Sequence, residues 1–310
     1  MKADRPTVAP SVIVLAPCAA RKRHAPQIRL ADLARADQTM IAAQWLRRVE
    51  EACPAVTTAG RLYSGRAFGL AVGASAKIGA KVLVASAGLG LVPADRLVPS
   101  YNLSASSGST SSLRGRILGD VKLEAWWRAV CGGPHSLPVD TPLDAELVLA
   151  PLSRAYAEMT APTLRTAGDR LRLFGLGLDR TLSSDLAPFL MPYDERLNGL
   201  GMPGTRTDFA ARAMTDFCEN ILPVTTDLDV QKAMVLRRMA SAPAQPARRP
   251  GRRVDDDVVR AAIRAGLETG GSCASLLARI RHEDGLACAQ HRFAALYHDV
   301  RGEAAGPCSR

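Results

Sequence analysis

The amino-acid sequence predicts an α/β protein: a three-layer fold around a mostly parallel sheet, followed by a basic linker and a small helical module. Three observations carry that expectation. Short β-branched runs alternate with stretches of helical spacing through the first 220 or so residues, the signature of a parallel sheet flanked by helices. A Pro/Ala/Arg-rich stretch, Ser241 to Arg253, then breaks the pattern. Beyond it, three amphipathic segments crowd into the last 57 residues.

Ser11-Val-Ile-Val-Leu-Ala16 reads as a buried strand that delivers a loop at Pro17. Residues 30 to 52 have helical spacing, with Leu30, Leu33, Ile41, Trp45 and Val49 on one face. Ala55 to Leu62 is read as a second strand and Phe68 to Ala80 as a helix. Lys81 to Ser86 is the next strand, running into the Gly-rich segment Ala87 to Pro93. Leu103 to Ser112 is Ser/Gly-rich and reads as a loop. A helix around Trp126 and Trp127, a strand at Glu146 to Ala150, a helix from Ser153, and a strand at Leu171 to Gly175 come next. Thr207 to Asn220 and Asp229 to Met239 complete the large domain as helices, giving expected boundaries of 1–240, a linker at 241–253 and a module at 254–310. In that module, Asp255 to Leu267, Ser275 to His282 and Ala289 to Val300 resemble a helix-turn-helix unit with its turn at Gly285.

Composition narrows the partners. The net charge is +10 and the pI about 9.6, a surplus that favours polyanions through release of condensed counterions. The seven cysteines are widely spaced without a CxxC pair, which argues against a disulfide framework or zinc site and for a reducing, cytoplasmic setting. No apolar run approaches the length of a signal core or a membrane span. No Walker loop, HExxH or Gly-x-Ser-x-Gly elbow is present, and Gly88-Leu-Gly90 lacks the rest of a dinucleotide fingerprint. The expectation is therefore chemistry without metal or cofactor, carried by carboxylates, amides and hydroxyls.

Four segments are too polar to be simple connectors. In Pro17 to Lys22, the amides with Arg21 and Lys22 suit a phosphate, or are surface charges; Cys18 reads as a small buried residue or, less simply, a nucleophile. The second is Tyr63-Ser-Gly-Arg66. In the third, Ser86 to Asn102, Tyr101 and Asn102 either stack on and bond a base edge or cap the core and a turn. Ala87, Gly88 and Gly90 leave room for a pocket there. The fourth joins Met191 to Arg196 with Pro203 to Asp208. Its Asp194 and Glu195 are acids in a basic protein, of a kind suited to stabilising an oxocarbenium-like sugar, whereas Asp208 reads first as part of a helix cap with Thr205 or Thr207 and stays a third candidate carboxylate. Tyr193 and Arg206 flank these acids. In the C-terminal module, Gln290, His291 and Arg292 stand where a recognition helix meets bases, and Arg248, Arg249, Arg252 and Arg253 in the linker suit phosphates.

Taken in order, the segments Pro17-Cys-Ala-Ala-Arg-Lys22, Tyr63 to Phe68, Val82 to Asn102 and Met191 to Met214 resemble a bacterial domain family related to a domain of archaeosine synthase and similar to the uracil-DNA glycosylase fold. The resemblance covers roughly residues 11 to 220. Within that family the chain looks like anti-phage DNA glycosylases that remove glucosylated pyrimidines. Relatives carry Asp where this chain has Asn102, which moves the expected catalytic carboxylate to Asp194. The resemblance implies a hydrolase of N-glycosidic bonds, expected to be a monofunctional glycosylase that leaves an abasic site. Its double-stranded DNA substrate carries a modified base, probed by Tyr101, Asn102 and Tyr193 with Cys18, Ser86 and Gly88 around it. Arg21, Lys22, Arg66 and Arg206 hold phosphate, and no obligate protein partner is evident. Two rival readings stay open: a base-exchanging transglycosylase of the deazaguanine type, and a ligand-sensing DNA-binding regulator.

Overall fold

The computed structural model describes residues 10–52, 57–106, 111–243 and 251–304. The chain divides into two compact units, Met1–Gln245 and Pro246–Arg310.

The first unit is an α/β domain on a five-stranded sheet: β1 (Val12–Pro17), β2 (Lys81–Ser86), β3 (Gly90–Pro93), β4 (Leu147–Pro151) and β5 (Leu171–Phe174). Their order is β3-β2-β1-β4-β5. β1 is parallel to both neighbours, with Leu15 opposite Leu83 and Val14 opposite Leu149, and β5 is parallel to β4. Val12 to Ala16 and Leu147 to Pro151 are buried throughout. That is why they read as continuous apolar runs: strands covered on both faces cannot alternate. Only β3 is antiparallel, folding back on β2 as a hairpin with Ser86 opposite Gly90. The Gly-rich segment expected as a loop is thus partly an edge strand.

Helices α1 (Gln38–Glu51), α2 (Ala59–Leu62), α3 (Arg66–Lys77), α4 (Leu123–Val130), α5 (Arg154–Arg165), α6 (Phe209–Asn220) and α7 (Leu228–Ala240) cover the sheet. One group packs α4 against α1 and α5, the other α3 against α6 and β1. Aspartates cap two of them: Asp37 accepts from Met40 N and Asp227 from Val230 N, both at 2.9 Å. Leu30 and Leu33 are buried as expected but precede α1 in a short 3-10 turn and its exit. The expected strand over 55–62 is only Thr57–Thr58 and then α2; its first two residues lie outside the described ones. Gly60 explains the difference, because its N–H donates to Ala94 O at 2.7 Å and the segment curls onto the β3 exit. Part of the Ser/Gly stretch, 107–110, is likewise outside the described residues.

The β2–β3 turn is fixed by two buried indoles. Trp45 Nε1 donates to Gly88 O and Trp126 Nε1 to Ala87 O, both at 2.7 Å. Gly88 and Gly90 serve close packing here, not an open pocket. A Cβ on Gly88 would lie 2.6 Å from Tyr101 Cε2, and one on Gly90 (φ +80°) 2.3 Å from Ser136 Oγ and 2.7 Å from Val130 O.

The second unit packs α8 (Asp256–Glu268), α9 (Cys273–His282) and α10 (Gln290–Ala304) around Val259, Ile263, Ile280, Phe293 and Leu296. Gly285 takes a positive φ between α9 and α10, and the next two residues, Leu286–Ala287, pair with Arg252–Arg253. The linker's Arg252 and Arg253 are therefore ordered and exposed, while Arg248 and Arg249 lie outside the described residues.

Because the Val130 carbonyl cannot retreat as a flexible side chain would, Gly90→Ala is expected to cost about 2–4 kcal/mol, left-handed strain plus overpacking. Urea unfolding checks it: the midpoint should fall with the slope unchanged.

Candidate functional site

In open parallel sheets the ligand crevice lies beyond the carboxyl ends of the strands, where the strand order reverses. Here the chain leaves β1 first for β2 on one side and later for β4 on the other, so the crevice falls at the carboxyl end of β1. Cys18 comes directly after β1, its N–H extending the ladder to Ala85 O at 3.0 Å. Tyr156 sits in the first turn of α5, just after β4. The 3.0 Å contact between Cys18 Sγ and Tyr156 Oη spans the reversal.

From that sulfur a hydrogen-bonded chain runs inward. Tyr101 Oη donates to Cys18 Sγ at 3.3 Å and lies 2.7 Å from Ser86 Oγ. Tyr63 Oη donates to Ser86 Oγ at 3.3 Å and is 3.1 Å from Tyr101 Oη. Leu89 N also donates to Ser86 Oγ at 3.0 Å, so the indole-held turn fixes that hydroxyl. With two donors aimed at it, Ser86 has its own proton free for Tyr101, and Tyr101 has its proton for Cys18. The sulfur is the receiving end of the chain.

Burial sets the electrostatics. Tyr63, Tyr101 and Tyr156 are pushed well above the usual phenol range, first by desolvation and then by the nearby Cys18. They remain neutral donors. One cation joins them: Lys22 Nζ stands 4.1 Å from the centroid of the Tyr101 ring and 5.6 Å from that of Tyr63. Its single hydrogen bond, among the described residues, is to Ala19 O at 3.4 Å. Burial lowers its pKa, opposed by the attraction of Cys18. The loop that carries it is laced down by Arg23 N to Leu62 O (2.9 Å), Ser64 N to Arg21 O (3.1 Å) and Ser100 Oγ to His24 O (2.9 Å).

The structure thus brings together Cys18, Lys22, Ser86 and Tyr101, with Gly88 under the Tyr101 ring. Asn102, the next residue, is half-buried, and Arg21 is exposed. Two members were missed by sequence reasoning as individual residues, Tyr63 and Tyr156. Both lay in plain signals: Tyr63 opens a polar segment, and Tyr156 is the first hydroxyl-bearing ring after the β4 loop.

The late acidic segment is built differently. Asp194 accepts from Arg196 N and from its guanidinium, with the shortest contact at 2.6 Å, and caps a short 3-10 turn. Those bonds hold its carboxyl below the usual range, so it stays ionised but neutralised. Tyr193 turns away to Asp216 Oδ2 (2.9 Å), which also takes a fork from Arg238. Asp208 is buried as the residue preceding α6. It accepts from Thr205 N (2.9 Å) and Arg212 Nε (2.8 Å) in place of the expected threonine cap. Arg66 bonds Pro203 O at 3.1 Å and lies 3.4 Å from Asp208; Arg206 faces Glu195 at 3.6 Å. Both keep highly exposed side chains.

Of the other cysteines, Cys131 and Cys218 are buried, which pushes their thiols up to about 11 and about 12 and leaves them inert. In the second unit, Gln290 and His291 are exposed at the start of α10, whereas Arg292 is held by Asp256 (2.6 Å) and Val254 O (2.8 Å) and is not presented for base reading. Among the described residues no group of His, Cys, Asp or Glu is placed to hold a metal ion, and no helix is long and apolar enough to cross a membrane. No protein-family model, curated protein or solved structure matches the chain.

A lysine whose folded pKa is depressed binds fewer protons than in the unfolded chain, so its contribution to stability grows as pH rises. Wild-type protein is therefore expected to gain stability relative to Lys22→Met as pH rises towards the ordinary lysine value. Paired denaturation curves at each pH measure it; a constant difference would show that Lys22 titrates normally.

Proposed function

We propose that the chain is a DNA glycosylase that flips out a modified base, a glucosylated pyrimidine on the family resemblance, and cleaves its N-glycosidic bond at the carboxyl edge of the sheet. The observation that carries this reading is the chain of neutral hydroxyls ending at Cys18, with one ammonium laid over its central ring, at the strand-order reversal. Breaking an N-glycosidic bond leaves developing negative charge on the departing base and positive charge on the sugar. Lys22, half-buried over the Tyr101 ring, is the donor to the leaving base in this reading, and the buried tyrosines hold it and Cys18 in place. The half-buried Cys18 head suits edge recognition of a flipped base.

Asp194 is the carboxylate for the sugar cation in this reading. It is ionised, as charge stabilisation requires, but Arg196 must turn to a DNA phosphate to release its field. Arg21, Arg66 and Arg206, exposed on loops or helix starts, suit phosphate contacts. The second unit, as a helix-turn-helix-like module, would add grip through exposed Arg252 and Arg253 and a base-facing pair, Gln290 and His291.

The test is base release without added metal, from unmodified DNA and from DNA carrying glucosylated hydroxymethylcytosine. Alkali-sensitive abasic sites are expected only in the modified DNA, falling about 100-fold in Tyr101→Phe and in Asp194→Ala. Release from neither DNA, with tight binding to one sequence, would sink the enzyme reading in favour of a regulator. Separately, replacing Arg252 and Arg253 by Ala should lower the slope of log affinity against log salt by about 2 while leaving base preference unchanged.

A further inference from the structure

We propose that Lys22 is an imine-forming nucleophile, so that the protein is also an abasic-site lyase. The proposal rests on the reading that the carboxyl edge receives a flipped nucleotide. Its own ground is the placement of one amine in a chain whose cations are mostly arginine. Six of the forty Lys and Arg residues are lysines. For holding phosphate a guanidinium serves as well or better, and it cannot act as a nucleophile; a lysine amine can. Among the described residues Lys77 is paired with Glu219 at 2.7 Å, and Lys232 donates to Pro188 O. Among the described lysines, Lys22 alone stands in the hydroxyl cluster.

Its surroundings are those of an amine kept available. No carboxylate contacts Lys22 among the described residues, and it is half-buried between two rings. Its one hydrogen bond, to Ala19 O, is long at 3.4 Å. An ammonium so placed has ring faces but no carboxylate to compensate it, and burial lowers its pKa. Cys18, Tyr63 and Tyr101 are the titratable groups facing it, and the three tyrosines of the cluster stay protonated. The backbone under it is fixed by pairing with Tyr63.

The step balances without a co-reactant. After base loss, the deoxyribose opens to its C1′ aldehyde. The Lys22 amine adds to C1′, water leaves, and a protonated imine forms. Loss of the C2′ proton to water then makes the C2′–C3′ double bond and breaks the C3′–O bond, expelling the 3′ phosphate. Hydrolysis of the imine returns the amine.

The experiment uses the full chain and a duplex oligonucleotide with a preformed abasic site, treated with sodium borohydride. Wild type is expected to give a covalent protein–DNA complex, with the reduced sugar mapped to Lys22 by peptide mass spectrometry, and strand cleavage when borohydride is left out. Lys22→Arg, which keeps the charge, should retain binding in a gel shift while trapping falls by about 100-fold or more. Peptide mapping of the wild-type adduct decides the matter even if the variant folds poorly. A wild-type protein that binds or fails to bind the abasic duplex and forms no adduct overturns the proposal, as does an adduct on another residue. Base release from glucosylated DNA without trapping leaves the glycosylase standing and removes the lyase. Trapping without base release does the reverse.

Discussion

The carboxyl edge of this sheet depends on how two carbonyls are satisfied. Ala87 and Gly88 turn the chain between β2 and β3 in the interior, where an unpaired carbonyl costs about 1–3 kcal/mol. Trp45 from α1 and Trp126 from α4 supply the donors, both at 2.7 Å. The indoles bring two helices onto the sheet and leave Leu89 N aimed at Ser86 Oγ. The Tyr101 ring then fills the space above Gly88, edge-on to Trp45 with centroids 6.0 Å apart. Ser86 and Tyr101 take their positions from that turn.

The polar site built on this turn consists almost wholly of neutral groups. Four hydroxyls and a thiol satisfy one another, so burial costs little, and none of the phenols ionises in its ordinary range. The buried carboxylates are held elsewhere for other work. Asp208 and Asp216 are each buried against an arginine, Arg212 and Arg238, and knit the segment after β5 to α6 and α7. A buried acid in this unit is a brace, and the chemistry of the crevice falls to oxygen, sulfur and one nitrogen.

Legibility in the sequence differed by the kind of interaction. β1, β2, β4 and β5, and helices such as α3 and α6, were readable because strand runs and helical faces repeat at short range. The segment over 55–62 was not, since β-branched Val56, Thr57 and Thr58 suggest a strand while bonds from Ala59 N to Arg96 O and from Gly60 N to Ala94 O bend the chain into a helical turn. Cys18, Lys22, Ser86 and Tyr101 stand out as polar residues at strand ends, but nothing local ties Tyr156, 138 residues from Cys18, to them. Tyr193 and Arg292 look equally functional in sequence; Asp216 and Asp256, far along the chain, claim them instead.

The sequence by itself determined the α/β class, the parallel core strands, the division near the arginine-rich linker and the basic charge, because periodicity and composition are local sums. Tertiary structure alone decided which polar residues meet. Partners lie scores of residues apart, and their choice turns on tenths of an ångström: Gly88 leaves room for Tyr101 and little else. It also decided that Lys22 rests on the rings of Tyr63 and Tyr101 while Arg292 is held by Asp256, since such pairing depends on where loops land and not on their spelling.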